Sequence, residues 1–407
     1  MNLKKKENQN QFTGSNMVLG VQFLFVAFGA TVLVPLLVGI DPSVALFTAG
    51  IGTLIFHVIT KGMVPVYLGS SFAFIAPIIE ATRLYGLPGT FSGIIAVGVV
   101  YTIVSAIVKW RGIKLIERLF PATVVGPVIM IIGLSLASAG VDMAKTHWGI
   151  ASISLATAII VVVFTKGLIK LIPIFIGIVA GYLSGLAFGV IDFTPIKEAA
   201  WFSLPAFVTP QLSWGAILYM IPVAVAPIIE HVGDMYAIGG VANKNFIEKP
   251  GLHRTLLGDG IATGLAGMVG GVPNTTYSEV TGAIALTKVT NPFVLRVSAV
   301  TAIVFSLIGK ISGILKTIPQ AVLGGIMLLL FGLIASVGIK TLIDSKVDLG
   351  KIRNQVVVSL VLTVGIGGAA ISWGNFSLAG IGLAAVVGIL LNLILPGEAK
   401  EVNVEND

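Results

Sequence analysis

Long apolar segments constrain this chain more than any other feature of its sequence. Fourteen runs of about 17–25 residues, the length that an α-helix needs to cross a bilayer, follow one another along the 407 residues. They lie at residues 17–39, 43–60, 64–80, 89–108, 119–139, 148–165, 170–191, 214–238, 255–271, 272–287, 292–315, 318–339, 355–372 and 376–395. Only 11% of the residues are charged, against about 25% in soluble domains. The sequence predicts an all-α polytopic membrane protein.

The basic residues predict how these segments are oriented. If the N-terminus is cytoplasmic, 20 of the 25 lysines and arginines fall on the inner face of the membrane, as the positive-inside rule requires. The net charge of +7 is then a consequence of topology, and no nucleic-acid partner is expected. The run after Lys4–Lys6 is too long for a signal-peptide core, so we expect no cleavable signal. Cysteine is absent, which excludes disulfides and thiolate metal sites.

Internal similarity predicts that the chain consists of two related halves. At a constant offset of 198, five positions of the fifth segment match the twelfth: Pro121, Val124, Gly126, Ser138 and Gly140 correspond to Pro319, Val322, Gly324, Ser336 and Gly338. Residues 50–53 (GIGT) in the second segment are echoed by residues 260–263 (GIAT) in the ninth. The partners are seven segments apart, an odd number, so the halves are inverted in the membrane. Inverted repeats are typical of transporters and place the substrate site at the midplane.

The third and tenth segments differ from the others. Residues 64–74 and 272–279 each open with Val-Pro and carry polar residues where a spanning helix is normally apolar. Non-helical backbone at membrane depth is tolerated only in the protein interior or along a cavity. We therefore expect the two stretches to pair and the helices after them to aim their first N–H groups at the midplane. An ordinary pair of kinked helices is the alternative.

Two carboxylates lie in the middle of the eighth apolar segment. On a helix, Glu230 and Asp234 share one face, while His231 points about 100° away. A charged residue at the centre of a membrane helix costs roughly 3 kcal/mol and commonly marks an ion or substrate pathway. A solvated loop or helix end is the alternative, but the apolar flanks disfavour it. We interpret His231 as a hydrogen-bonded packing residue.

Five motifs carry a resemblance to a known family. They are AFGATVLVPLLVG (27–39), YLGSSFAF (67–74), EHVGD (230–234), PGLHR (250–254) and PNTTYSE (273–279). With these motifs, in this order, the chain resembles the nucleobase–ascorbate transporter family (nucleobase:cation symporter-2), and within it the bacterial uracil permeases. The resemblance implies a seven-plus-seven inverted repeat in which segments 3 and 10 begin as short antiparallel strands. It also implies a core domain (segments 1–4 and 8–11) and a gate domain (segments 5–7 and 12–14).

The expected domain boundaries follow from that division. The core domain comprises residues 17–115 and 213–316, the gate domain comprises residues 116–212 and 317–396, and residues 1–16 and 397–407 are cytoplasmic tails. The implied function is proton-coupled uracil uptake across the bacterial inner membrane, by an elevator-like movement of the core against the gate. A xanthine or urate symporter driven by protons or sodium is the alternative, and an anion carrier of the same fold is a more remote one. We expect no enzyme activity and no cofactor beyond the coupling ion. The expected partners are the nucleobase, membrane lipid and a second copy bound through the gate domain.

The resemblance also implies roles for particular residues. Glu230 and Glu279 match the two carboxylates that hold the base, and further positions match residues that line or support the site: Phe72, Tyr277, Ser278, Ala30 and Asp259. The chain departs from the family pattern at three places. Asp234 stands where the uracil branch commonly has histidine, Ser278 stands where glycine is usual, and the asparagine of the signature after Glu279 is missing.

Uracil chemistry suits these residues. The ring alternates N–H donors with carbonyl acceptors, a carboxylate accepts from a ring N–H, and a protonated carboxyl donates to a carbonyl. Burial and a second nearby carboxylate both favour the protonated form. We expect the coupling proton on Glu230 or Asp234, with Glu279 mainly a substrate ligand. The opposite assignment stays open because coupled carboxyls titrate together.

Overall fold

The structure is a computed structural model that describes residues 14–113, 119–167, 169–373 and 376–396. Nearly all of the two expected cytoplasmic tails therefore lies outside the described residues, together with Lys114 and Arg118. The first half contains α1 (Gly14–Val38), α2 (Pro42–Ile59), β1 (Leu68–Ser70), α3 (Ile75–Arg111), α4 (Ala122–Leu134), α5 (Ala137–Lys145), α6 (Trp148–Phe164), α7 (Pro173–Ala187) and α8 (Thr194–Glu198). The second half contains α9 (Trp214–Met220), α10 (Val225–Ala242), α11 (Leu252–Met268), β2 (Asn274–Thr276), α12 (Ser278–Thr287), α13 (Pro292–Ser306), α14 (Gly309–Lys316), α15 (Gln320–Asp344), α16 (Ile352–Ile366), β3 (Ala370–Trp373), β4 (Phe376–Ala379) and α17 (Gly380–Ile394).

Six of the described helical spans are long and apolar enough to cross a membrane: Gly14–Val38, Pro42–Ile59, Phe72–Arg111, Ala122–Lys145, Trp214–Ala242 and Gln320–Asp344. Apolar helices of 15–17 residues occupy several of the other predicted segments. Since apolar helices of this length are stable in a bilayer and not in water, the chain is a multi-pass membrane protein.

Several predicted segments are interrupted rather than continuous. Helix α3 is broken at Gly86, whose φ of 73° a side chain would strain, and this break separates the third and fourth segments. The eighth segment consists of α9, a 3₁₀ turn at Ile221–Ala224 and α10. Pro222 lies in that turn, and its missing N–H explains why regular helix does not continue through it. The eighth segment is thus not the single helix that the apolar pattern indicated.

The expected strand pair is confirmed. β1 and β2 are antiparallel, with Gly69 opposite Thr275 at the centre of the pair. One threonine from each half holds its own strand. The Thr53 hydroxyl donates to the Leu68 carbonyl and accepts from the Leu68 N–H, and the Thr263 hydroxyl donates to the carbonyl of Asn274. Thr53 and Thr263 are the last residues of the GIGT and GIAT sequences, so these repeated sequences perform the same task in both halves.

A second strand pair was not predicted. We expected the thirteenth segment to continue to residue 372, but α16 ends at Ile366 and β3 pairs with β4 in an antiparallel hairpin. Gly368 ends the helix with a φ of 71°, a conformation that glycine adopts at no steric cost. Two strands of four residues are too short to be recognised between two apolar helices.

Close glycine contacts hold the helices together in two groups. In the first group, α2 and α3 pack on α11, and α13 packs on α1 and α2. In the second group, α15 packs on the four helices α4 to α7, and α16 and α17 pack on α4. A Cβ on Gly98 would lie 2.6 Å from the Gly260 carbonyl, and one on Gly338 would lie 2.5 Å from the Gly126 carbonyl. Small residues allow such backbone contact between membrane helices.

Candidate functional site

A cavity of about 240 Å³ lies between the two groups of helices. One wall is polar and is formed by Phe72, by Glu230 of α10, and by residues 275–279 at the end of β2 and the start of α12. The opposite wall is apolar and comes from α4, α6, α7 and α15: Ile129, Ile132, Val162, Pro173, Ile174, Ile326, Leu329, Leu330, Leu333, Ile334 and Val337. The volume is below the roughly 300–1,000 Å³ of sites for drug-sized ligands, which favours a small ligand.

Two helix N-termini converge on this cavity because each strand ends there. β2 ends at Thr276, and α12 begins two residues later at Ser278, which places Glu279 in its first turn. Phe72 opens the 3₁₀ turn that follows β1 and leads into α3. The first N–H groups of a helix have no acceptor within it. The strand pair therefore brings the first backbone N–H groups of two helices and the Glu279 carboxylate to the same place.

Glu230 and Glu279 face the cavity from two different helices. Both side chains line it and are exposed to it, although they lie in the interior of the protein. Within the described part of the chain, no other side chain hydrogen-bonds to either carboxylate. The two glutamates are therefore accessible from the cavity, and the role in binding the base that the resemblance implies for them stays a prediction.

Asp234 has a different environment from the two glutamates. It is 5% exposed and does not line the cavity. Its two carboxylate oxygens accept hydrogen bonds from the hydroxyls of Thr276 and Ser278, each at 2.6 Å. Asp234 therefore ties α10 to the end of β2 and the start of α12. Two of the departures from the family pattern, Asp234 and Ser278, contact each other.

Tyr277 and Ala30 support the site from behind the strands. The Tyr277 hydroxyl donates to the Ser70 carbonyl at 2.8 Å, and the Thr31 hydroxyl lies 3.4 Å from it. The Tyr277 ring lies against Gly69, where an added Cβ would be 2.5 Å from it. Ala30 lines a neighbouring cavity of about 180 Å³, which Glu279 also lines.

Asp259 is a predicted site residue that does not line the cavity. It is fully buried, and its Oδ2 is 2.7 Å from Nδ1 of His231, which is also fully buried. His231 thus points away from the cavity, as its helical position predicted, but its partner is a carboxylate from α11. His57 on α2 contacts the Val66 carbonyl through Nε2 at 3.0 Å. In the described ranges, no three His, Asp or Glu side chains are grouped to hold a metal ion.

Sequence reasoning missed two parts of this site. Thr276 was not proposed as a functional residue, although its position in PNTTYSE, two residues before Ser278, was a usable signal. The apolar wall was also missed, because isoleucine and leucine on membrane helices have no distinguishing pattern until their neighbours are known.

A larger cavity of about 1,180 Å³ opens beyond one end of the site. Its wall includes Leu136, one turn after Ile132 of the site cavity, and Val223 from the 3₁₀ turn before α10. Leu136 and Val223 are 5% and 2% exposed. Glu80 and Arg83 form a two-bond ion pair in the wall of this larger cavity.

Comparison with known proteins identifies the family. The profile of a permease family matches residues 14–373. The chain belongs to the nucleobase:cation symporter-2 family. It is 51% identical to the probable uracil permease of Haemophilus influenzae, with 97% of both chains covered. It is 46% identical to the uracil permease of Bacillus caldolyticus, covering 95% of this chain and 93% of that one. As a member of this family the protein is a transporter and not an enzyme.

A solved structure shows the same fold at low sequence identity. The transmembrane domain of the cyanobacterial bicarbonate transporter BicA superposes with a TM-score of 0.64 and 16% identity, covering 93% of this chain and 97% of that one. The fold of this chain is therefore shared with that bicarbonate transporter domain.

Proposed function

We propose that this protein is a proton-coupled symporter that carries uracil into the bacterial cytoplasm. The observation that carries the proposal is the pair of glutamates, Glu230 and Glu279, facing one small cavity with a polar and an apolar wall. The names of the relatives at 46–51% identity, which are uracil permeases, support the choice of substrate.

The polar wall offers the groups that a pyrimidine edge needs. The Glu279 carboxylate accepts a charge-assisted hydrogen bond from a ring N–H, and the first N–H groups of α12 donate to ring carbonyls. Phe72 and the apolar side chains opposite contact the ring faces. We assign Ser278 and Tyr277 to holding the start of α12 in place, and Ala30 to the packing behind Glu279.

We assign the transported proton to Glu230. Asp234 accepts two hydroxyl hydrogen bonds, which stabilise its ionised form, whereas the Glu230 carboxylate faces the cavity. A protonated Glu230 donates to a uracil carbonyl, and a deprotonated one places a buried negative charge beside Glu279. This repulsion makes proton and substrate bind and leave together.

The transport movement that we propose is a displacement of the core domain against the gate domain. The packing of helices in two groups supports this division into a core and a gate domain, and an apolar gate wall lets a polar core surface slide without breaking hydrogen bonds. The one turn of chain from Ile132 of α4 to Leu136, two residues after the end of α4, divides the site from the larger cavity, which we place on the outer side. We further propose that the fold has fourteen crossings in two inverted halves, with both termini cytoplasmic, and that the gate domain forms a homodimer surrounded by lipid. The equivalent roles of Thr53 and Thr263 support the repeat.

Uptake of labelled uracil into proteoliposomes tests the proposal. With an inward proton gradient we expect accumulation that a protonophore abolishes and that excess xanthine leaves unchanged. Accumulation that follows a sodium gradient instead, or uptake of xanthine in place of uracil, overturns the coupling or the substrate. Empty liposomes provide the control.

A cross-link tests the movement separately. Phe25 of α1 and Phe175 of α7 lie on opposite sides of the domain boundary with ring centroids 5.2 Å apart, and the chain has no natural cysteine. Cysteines at both positions, joined by a short bis-maleimide that adds one thiol to each maleimide, are expected to stop uptake, while each single cysteine variant treated in the same way keeps it. Full uptake in the cross-linked protein refutes relative domain movement.

A further inference from the structure

One buried pair of titratable side chains lies on the side of α10 that faces away from the cavity. His231 follows Glu230 in the sequence but lies on another face of α10, and its Nδ1 is 2.7 Å from Asp259 Oδ2 on α11. Both side chains are 0% exposed. A glutamate that faces the ligand and an imidazole–carboxylate pair that faces the interior therefore occupy adjacent positions of one helix.

The remaining polar atoms around this pair are unsatisfied. Apart from the 2.7 Å approach of His231 Nδ1 to Asp259 Oδ2, both ring nitrogens of His231, both carboxylate oxygens of Asp259 and the Tyr101 hydroxyl are buried and have no hydrogen-bond partner among the described residues. Tyr101 packs against Gly260, the residue after Asp259, and the Phe56 ring lies 6.4 Å from the His231 ring. A buried polar group without a partner costs about 1–3 kcal/mol, so such a cluster within a well-packed set of helices needs a functional explanation.

The charges around the pair are nearly all of one sign. Glu230 and Asp234 on α10 and Tyr101 on α3 are the titratable groups that interact with this pair. His57 contacts the Val66 carbonyl and is separated from His231 by Phe56. With His231 neutral and Asp259 ionised, the pair adds a negative charge behind Glu230. With His231 protonated, the pair is neutral.

We propose that His231 and Asp259 form a second proton-binding site, which holds a proton behind the substrate cavity and sets the proton affinity of Glu230. When the pair holds its proton, Glu230 loses its own more readily. When the pair is empty, the added negative charge retains the proton on Glu230. His231 and Asp259 are positioning residues that act through Glu230 and do not touch uracil. The inference rests on the proposed function, since it assumes that Glu230 binds the transported proton.

Proton linkage in the wild-type protein is the first test. Uracil binding is measured by titration calorimetry in two buffers of different ionisation enthalpy, across pH 5–9, and the number of protons linked to binding is obtained at each pH. Two interacting sites predict two steps in this number. A single step overturns the inference, and no uracil binding at any pH overturns the proposed function instead.

Variants test which residues form the second site. His231→Gln leaves the Asp259 carboxylate without its partner, so its negative charge is expected to raise the midpoint of the pH dependence of uracil binding by about one unit, a tenfold change in proton affinity. Asp259→Asn removes that negative charge and is expected to lower the midpoint by a similar amount. The double variant H231Q/D259N also lacks the charge and is expected to follow Asp259→Asn rather than His231→Gln. His57→Gln, a buried histidine in the same region that contacts a backbone carbonyl, is the matched control and keeps the wild-type midpoint.

A purely structural pair gives a different result. It lowers the thermal stability of His231→Gln and Asp259→Asn but leaves their pH midpoints equal to that of the wild type, which overturns the inference. If one single variant does not fold, the other and the double variant give the same comparison.

Discussion

Two adjacent threonines of β2 allow a sharp test of how the site is held together. Thr276 and Thr275 are both buried, at 2% and 4% exposure. The Thr276 hydroxyl donates to Asp234 Oδ2 at 2.6 Å, whereas the Thr275 hydroxyl has no partner among the residues that the structure describes. Valine has nearly the shape of threonine without the hydroxyl. The same substitution at the two positions therefore isolates one hydrogen bond.

The expected magnitudes follow from these contacts. A hydrogen bond to a charged group contributes about 1.5–3 kcal/mol, and Thr276→Val also leaves one oxygen of a buried carboxylate unsatisfied. We expect Thr276→Val to lower the free energy of unfolding by about 2–3 kcal/mol. Thr275→Val removes a hydroxyl that was buried without a partner, so its free energy of unfolding is unchanged or higher.

The assay is reversible unfolding in detergent micelles, followed by tryptophan fluorescence, with both variants measured beside the wild type. Uracil binding checks that each folded variant keeps its site. If the two valine variants differ from each other by less than about 0.5 kcal/mol, within the usual error of such comparisons, Asp234 does not anchor the strand as described here.

Three further predictions concern packing, pH and specificity. Gly338→Ala is expected to destabilise the protein by about 1–3 kcal/mol, because the added Cβ would lie 2.5 Å from the Gly126 carbonyl on the facing helix. Gly332→Ala on the same helix is the control, since its added Cβ meets nothing within 4 Å. Equal effects of the two variants on the free energy of unfolding contradict this packing. At the end of α1, burial of Asp41 raises its pKa, but hydrogen bonds from Lys316 and Ser43 outweigh burial and hold the pKa below its usual range. The stabilisation by ionised Asp41 is therefore complete above the pKa of about 4 that an aspartate has in the unfolded chain, and it is lost as the pH falls through the lower pKa of Asp41 in the folded protein. Asp41→Asn should remove this acid-dependent part of the thermal stability. A variant whose thermal stability depends on acid pH in the same way as that of the wild type refutes the prediction. Asp234→His should change the pH dependence or the uracil-to-xanthine preference of uptake, because one imidazole cannot accept from two hydroxyls; identical profiles mean that the departure is neutral.

The sequence was informative where a residue type conflicted with its surroundings. Carboxylates and hydroxyl-rich stretches within apolar segments predicted Glu230, Glu279 and the strand pair, because polar groups at membrane depth need a cavity or a partner. The GIGT and GIAT sequences pointed to threonines that hold equivalent strands.

Other features depend on contacts that no local pattern records. The bond between Thr276 and Asp234 joins residues 42 apart, and the pair of His231 and Asp259 joins two different helices. His231 was interpreted as a packing residue because a single helix shows which way it points but not what it meets. The β3–β4 hairpin was missed because its strands have four residues each and adjoin apolar helices.

The most direct measurement of the central claim is the proton movement that accompanies uracil entry. Proteoliposomes containing a pH-sensitive dye and no initial proton gradient receive external uracil, and the internal pH is recorded for the wild type and for Glu230→Gln. We predict that the interior acidifies with the wild type, in proportion to the uracil taken up, and that Glu230→Gln produces no acidification and no accumulation. Uracil entry without acidification in the wild type, or normal acidification in Glu230→Gln, contradicts the assignment of the transported proton to Glu230.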